Sequence, residues 1–228
     1  NRITEALAWQ RFNKALLNHQ YQLARYLKRF FTSPHYSELA KLYYQTHRSP
    51  RNIARFADFS NHSSEELNII QQALVHLAPR DSHSSLKYWS HYQQTHDFTD
   101  AARSAIVSAI IKGLYKQGAT AVADSYFSDH LQLLNETLDG SLVEWRIRLA
   151  LAKKDWPNVS VWLERLPKNL QSRTSWRYWT IRSMLSNPLT TEHPALLQMT
   201  ESLAQERDFY GFLASDMLDK EYRINHRP

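Results

Sequence analysis

The side chains that could do acid–base or metal chemistry in this chain are eleven histidines and a few neighbouring carboxylates, since there is no cysteine. Without a thiol there is no disulfide, no thiolate metal site and no cysteine nucleophile. His91 and His96 stand five positions apart, which does not stack on a helix as i,i+4 would. His83 and His91 lie about two turns apart and read as surface residues. No His-Glu-x-x-His occurs, so a zinc-protease helix has no support. The carboxylate pairs are Glu65 with Glu66 and Asp97 with Asp100. The first pair falls in a helix's first turn, where negative charge suits the dipole, and the second reads as helix caps. No Gly-x-Ser-x-Gly is present, and His83 between Ser82 and Ser84 has no acidic partner in a recognisable pattern. The residues therefore predict no catalytic group, no metal site and no cofactor.

Binding chemistry is better represented. The formal net charge is +6 and the isoelectric point about 9.5, which suits an anionic partner such as nucleic acid, acidic lipid or an anionic polymer. The charge is uneven. Residues 1–60 hold ten Lys/Arg against three Asp/Glu, residues 61–140 five against nine, and residues 141–228 thirteen against ten. The natural anion-facing surface is thus the N-terminal third, with Arg11, Lys14, Arg25, Lys28, Arg29, Lys41, Arg48, Arg51 and Arg55. The plainer alternative is that these are ordinary solvated helix faces. Five of the seven tryptophans (145, 156, 162, 176 and 179) cluster in sequence. Such rings can stack on sugars or bases, but Trp145 with Leu149 and Ala152, and Trp162 with Arg165 and Leu166, fall on shared helix faces. They read first as filling between helix layers.

The elements that carry these residues are helical almost throughout. Only four residues are glycine, against a usual share of about 7%. That argues against an all-β fold, a Rossmann domain and a P-loop, all of which need glycine-rich turns. Apolar residues recur at helical spacing: Ala8, Phe12, Ala15 and Leu16; Leu23, Tyr26, Leu27 and Phe30; Leu39, Leu42 and Tyr43; Leu67, Ile70, Ala73, Leu74 and Leu77. Ile53, Phe56 and Ala57 predict a short helix after Ser49-Pro50. Capping boxes are predicted at Ser63/Glu66 and Ser141/Glu144, and a helix start at Asp155 before Trp156-Pro157. Gly211 sits inside a helical pattern and predicts close approach of a neighbouring helix, with Phe209, Phe212 and Leu213 in the core. Turn signals at regular intervals give about twelve short helices, paired in units of about 30–35 residues. The predicted fold is an all-α, right-handed superhelix or solenoid of short helix pairs, one domain over 1–228, with a compact bundle as the alternative. The longest apolar run, Ala105 to Ile111, is too short to cross a membrane.

Four stretches in order carry a resemblance. Ser141-Leu-Val-Glu-Trp-Arg-Ile-Arg-Leu-Ala-Leu151 is followed by Trp162-Leu-Glu-Arg-Leu-Pro167 and Trp176-Arg-Tyr-Trp179. Then come Arg207-Asp-Phe-Tyr-Gly-Phe-Leu-Ala-Ser-Asp216 and Tyr222-Arg-Ile-Asn225. Their order and spacing resemble the α-superhelical region of the soluble lytic murein transglycosylases. Asp97-Phe98-Thr99 before the Ala-rich helix at 101–111 fits as well. The match runs from about 97 to 228 and is only topological before that. The resemblance implies a bacterial, periplasmic enzyme that cleaves the bond between N-acetylmuramic acid and N-acetylglucosamine in peptidoglycan, leaving a 1,6-anhydromuramoyl product. In the family the cleavage belongs to one Glu of a lysozyme-like domain that follows the superhelix in the polypeptide. Here Glu201-Ser202 is the only Glu-Ser, and no Gly-Leu-Met-Gln follows it, so Glu201 reads as a surface helix residue.

The chain opens on Asn1 and closes on Pro228, and the expectation is a non-catalytic segment of a longer polypeptide, without that lysozyme-like domain. Its partners would be peptidoglycan and the catalytic domain of the same polypeptide. Arg11, Arg25, Lys28 and Arg29 are the residues expected to meet the anionic glycan. The rival readings are a helical-repeat scaffold that binds a protein, and a basic helical-repeat binder of nucleic acid, the latter disfavoured by the resemblance.

Overall fold

The computed structural model describes residues 4–135, 140–188 and 193–222. Among them there are fourteen α-helices, three short 3-10 turns and no strand. The helices gather into two compact units, Asn1–Thr137 and Leu138–Pro228. In the first, α1 (Glu5–Leu17), α2 (Tyr21–Leu27) and α3 (Pro34–Arg48) are followed by α4 (Ser64–Leu77), α5 (Ser82–Thr95) and α6 (Asp100–Lys116). Two shorter helices, α7 (Thr120–Asp129) and α8 (Leu131–Asn135), complete it. Helices touch the next in sequence or the next but one: α1 on α2 and α3, α3 on α4, α4 on α5 and α6. This is an all-α solenoid arrangement of short helices.

Local sequence explains the helix starts. The side chains of Thr4, Ser33, Ser63, Asp81 and Thr99 each accept from a backbone N–H in the helix they precede. Pro34 follows its cap, where a missing N–H costs nothing. Thr99 holds the cap position expected of the aspartates. Asp100 is the first helical residue, and exposed Asp97 lies 3.6 Å from Arg103. The core is aliphatic and aromatic: Phe12, Leu16, Tyr43, Ile70, Leu74, Ile106 and Ile110 are almost fully buried. Each such side chain stabilises the fold by about 1.5–3 kcal/mol.

Two expectations for this unit are corrected. Residues 50–58 form 3-10 turns instead of a short α-helix, with only Ile53 buried. In α2 the buried face is Ala24 and Leu27, while Leu23 and Tyr26 face solvent.

The second unit holds α9 (Ser141–Ala152), α10 (Trp156–Glu164), α11 (Lys168–Gln171), α12 (Thr174–Leu185), α13 (Pro194–Leu203) and α14 (Phe209–Met217). Asp155 caps α10 through its carboxylate and the Asn158 N–H, as expected. The predicted cap at Ser141 is not formed. Gly140 takes that position in the left-handed region at φ 82°, and a Cβ there would collide with Leu170. Glu144 is engaged elsewhere: it accepts from Trp176 Nε1 at 2.8 Å and lies 3.6 Å from Arg173. Trp145 is also corrected. It is 42% exposed, and α9 buries Leu142, Val143, Arg146, Ile147 and Ala150 instead. The close approach at Gly211 is real, but its partner is the Glu206 backbone before α14. Phe209 is exposed, and Phe212 and Leu213 are half-buried.

Candidate functional site

The first unit carries a compact group of cations set on aromatic rings. Lys28 stands at the end of α2, with its Nζ 4.5 Å from the centre of the Tyr44 ring on α3. Arg48, the last residue of α3, lies over Tyr21 at 5.8 Å, and the Tyr21 and Tyr44 rings meet edge to face at 6.2 Å. The Tyr44 hydroxyl is covered from solvent and makes no hydrogen bond of ordinary geometry among the described residues. The Arg25 and Arg48 guanidiniums beside it lower its pKa, Arg25 most. Burial lowers the pKa of Lys28; Tyr44 opposes this, and the nearby charges of Arg25 and Lys41 add to it. None of Arg25, Lys28, Lys41 and Arg48 has an ion pair among the described residues.

Of the four residues expected to face an anion, Arg25 and Lys28 are brought together here. Arg29 turns onto Tyr26, 3.5 Å from the ring centre. Arg11 is exposed on α1 and shares no hydrogen bond, ion pair or ring contact with the other three. Lys41 and Arg48 belonged to the basic third. The two tyrosines that hold the group together did not stand out, because a tyrosine at helical spacing looks like core.

Behind this group is a histidine trio. His19 occupies the α1–α2 turn at φ 56°, and His47 and His76 lie in the last turns of α3 and α4. Their rings are 4.9–6.2 Å apart. The Tyr21 hydroxyl lies 3.3 Å from His19 Nδ1 and 3.4 Å from His47 Nδ1. Among the described residues no group of three or more such side chains is arranged to hold a metal ion. The signal for this trio was in the sequence: positions 19, 47 and 76 recur at nearly one helix-pair interval, so stacked repeats bring them together.

Burial, with His76 and His19 beside it, pushes the His47 pKa down from 6.5 to about 4. His47 is only 6% exposed. The folded state therefore takes up a proton less readily than the unfolded one. Its contribution is fully present above about pH 6.5 and is lost as the pH falls toward 4, by about 2–3 kcal/mol. His47→Gln should flatten the fall in melting temperature between pH 7 and pH 4.5. Parallel curves for the two proteins would reject this account.

A cleft of about 640 Å³ is lined by Gln93, Gln94, Asp100, Arg103, Asp129 and His130, with Trp89 and Val107 also on its wall. His130 Nδ1 lies 2.9 Å from the Tyr126 carbonyl oxygen. Both signs of charge line this cleft, which gives it no selectivity for an anion. In the second unit Glu201 is exposed on α13 and pairs with Lys220 at 2.8 Å. No helix among the described residues is long and apolar enough to cross a membrane.

No family model matches the chain. The soluble lytic murein transglycosylase of Salmonella typhimurium is 23% identical over 189 residues, which is 83% of this chain and 28% of that protein. The protein of the same name from Escherichia coli K12 is 33% identical over 84 residues, or 37% of this chain and 13% of that protein. Among solved structures, an inactive variant of the lytic transglycosylase Slt from Pseudomonas aeruginosa aligns over 99% of this chain and 36% of its own. Its TM-score is 0.79 and its identity 27%. The 70-kDa soluble lytic transglycosylase from Escherichia coli aligns over 98% of this chain and 35% of its own, with TM-score 0.80 and 19% identity. The chain thus spans between 13% and 36% of the length of these proteins.

Proposed function

Because the chain is kin to the soluble lytic murein transglycosylases, we propose that it is the helical scaffold segment of a periplasmic enzyme of that kind, acting on peptidoglycan. The chain would supply no catalytic group. It would shape the enzyme and present a basic surface to the substrate, whose stem peptides carry carboxylates. The observation that carries this reading is the alignment of nearly the whole chain with a lytic transglycosylase at 27% identity, over only about a third of that structure. The reading also accounts for the uneven charge, because a cationic face raises the local concentration of an anionic polymer.

The experiment is sedimentation of the chain with purified sacculi at low salt. Reversing Arg11, Arg25, Lys28 and Arg29 to Glu should weaken binding about tenfold, since exposed charge contacts contribute modestly one by one and together matter. Raising the salt should weaken the unmodified chain in the same direction, by screening. Binding undiminished by the four reversals would reject the reading.

A further inference from the structure

The cations around Tyr44 have a property that an ordinary solvated helix face lacks. They converge while no carboxylate is there to balance them. Across residues 21–55 there are seven Lys/Arg and one Asp/Glu. The one ion pair this stretch makes among the described residues is Arg51 with Asp81, at 3.2 Å. Like charges held close repel, and exposed side chains normally relieve this by swinging apart into water. Here aromatic faces hold two of them: the ammonium of Lys28 on Tyr44 and the guanidinium of Arg48 on Tyr21. Tyr21 is itself fixed by its hydroxyl between His19 and His47. Fixed donors lose little freedom when a ligand arrives, and that is the main route by which a small site gains affinity.

We propose that Arg25, Lys28 and Arg48, set against Tyr44 and Tyr21, form a binding site for a carboxylate-bearing peptide. Under the reading above, that peptide is the acidic stem of peptidoglycan; the occupant rests on that reading, whereas the site does not. Each guanidinium offers a planar fork that matches the two oxygens of a carboxylate. The Tyr44 hydroxyl, covered from solvent beside the Arg25 and Arg48 guanidiniums, helps to hold them in place. The compactness of the group favours a short acidic ligand over a nucleic acid. A polyanion needs a continuous basic track, and the next stretch, residues 61–140, holds nine acidic residues against five basic ones.

The test is calorimetric titration of the whole chain at low salt with a soluble muramyl tripeptide bearing free carboxylates. Its fully amidated counterpart and a single-stranded DNA oligonucleotide serve as parallel ligands. The acidic peptide should bind and the amidated one should not. The double substitution Arg25→Gln with Arg48→Gln should weaken binding at least about tenfold, with an unchanged melting temperature. Lys112→Gln with Lys116→Gln removes the same charge from exposed positions on α6 and should leave binding alone. Equal loss in that control, equal binding of the amidated peptide, or tighter binding of the DNA would each overturn the proposal. Lost peptide binding with normal sedimentation on sacculi would keep the site and overturn only its occupant. Undiminished peptide binding would overturn the site, whatever the sacculi do.

Discussion

Gly113→Ala is expected to lower the melting temperature of this chain by about 4–8 °C, although alanine is the better helix former. Gly113 lies in the last turn of α6, fully buried in the core of the first unit. Replacing a mid-helix glycine by alanine elsewhere gains about 1 kcal/mol. Here the added Cβ would collide with the Ala78 carbonyl oxygen at the end of α4. It would also stand 2.8 Å from the Ala78 carbonyl carbon and 3.0 Å from Ser82 Cβ. A side chain can rotate away from such a contact, but a backbone carbonyl moves only with its helix. Moving α4 also strains the start of α5, where Ser82 donates its hydroxyl to Gln117 Oε1 at 2.6 Å. Overpacking of this kind costs about 1–3 kcal/mol and more where backbone must shift. A net loss of about 2 kcal/mol corresponds to about 4–8 °C for a chain of this size. Gly118→Asn is the control: no atom lies within 4 Å of its Cβ position, and Asn tolerates its positive φ. Differential scanning fluorimetry decides it, and a Gly113→Ala protein that melts higher would refute the close crossing of α4 and α6.

What could be read in advance followed the range of the interaction. Helical periodicity, proline at helix starts and the cap at Ser63 depend on residues a few positions apart, and they are formed. The Ser141/Glu144 box has the same spacing and fails for a long-range reason. Trp176, 32 positions further on, donates to Glu144, and Gly140 adopts a backbone that sequence spacing does not reveal. Trp145 shows the same limit. Helical spacing defines a face, but which face is covered depends on the neighbouring helix: α9 buries Ile147 and Arg146, the latter over the Trp162 ring of α10.

The candidate site was half legible for a related reason. An excess of Lys and Arg in the first 60 residues can be counted directly. That Arg25 and Lys28 meet Arg48 depends on how the end of α2 faces α3, and on Tyr44 lying between them. The same stacking brings the three histidines together, so the cation group and the imidazoles share Tyr21 as a common support. Substitutions at Tyr21 would disturb both, which is why the tests above alter the charged ends and leave the ring in place.

Glu66→Ala should be among the most damaging single changes in the chain, costing about 3 kcal/mol. Glu66 is 2% exposed. Its Oε1 accepts from the backbone N–H of Asn61 at 3.0 Å and of His62 at 2.9 Å. Ser63 Oγ accepts in return from the Glu66 N–H at 3.3 Å. The capping box thus exists, with its acidic half reaching past the cap residue to the two amides before it. His96 Nε2 lies 3.6 Å from the same carboxylate oxygen, and its ring stacks on His62 at 4.4 Å. Burial, then the neighbouring His62, lowers the His96 pKa against the pull of Glu66.

Two effects of the substitution oppose each other. Alanine no longer has a carboxylate to desolvate, which favours the variant. It also leaves the Asn61 and His62 amides without their acceptor, each unmet group costing about 1–3 kcal/mol, and this side wins because two groups lose their partner at once. Glu66→Gln separates the two: it removes the charge, keeps one oxygen to accept, and should cost about half as much. The place of the damage is equally specific. Hydrogen exchange at the Asn61 and His62 amides should accelerate in the alanine variant well before the core of α4 opens. Equal protection of those two amides in both proteins would show that the turn before α4 is held by something other than this carboxylate.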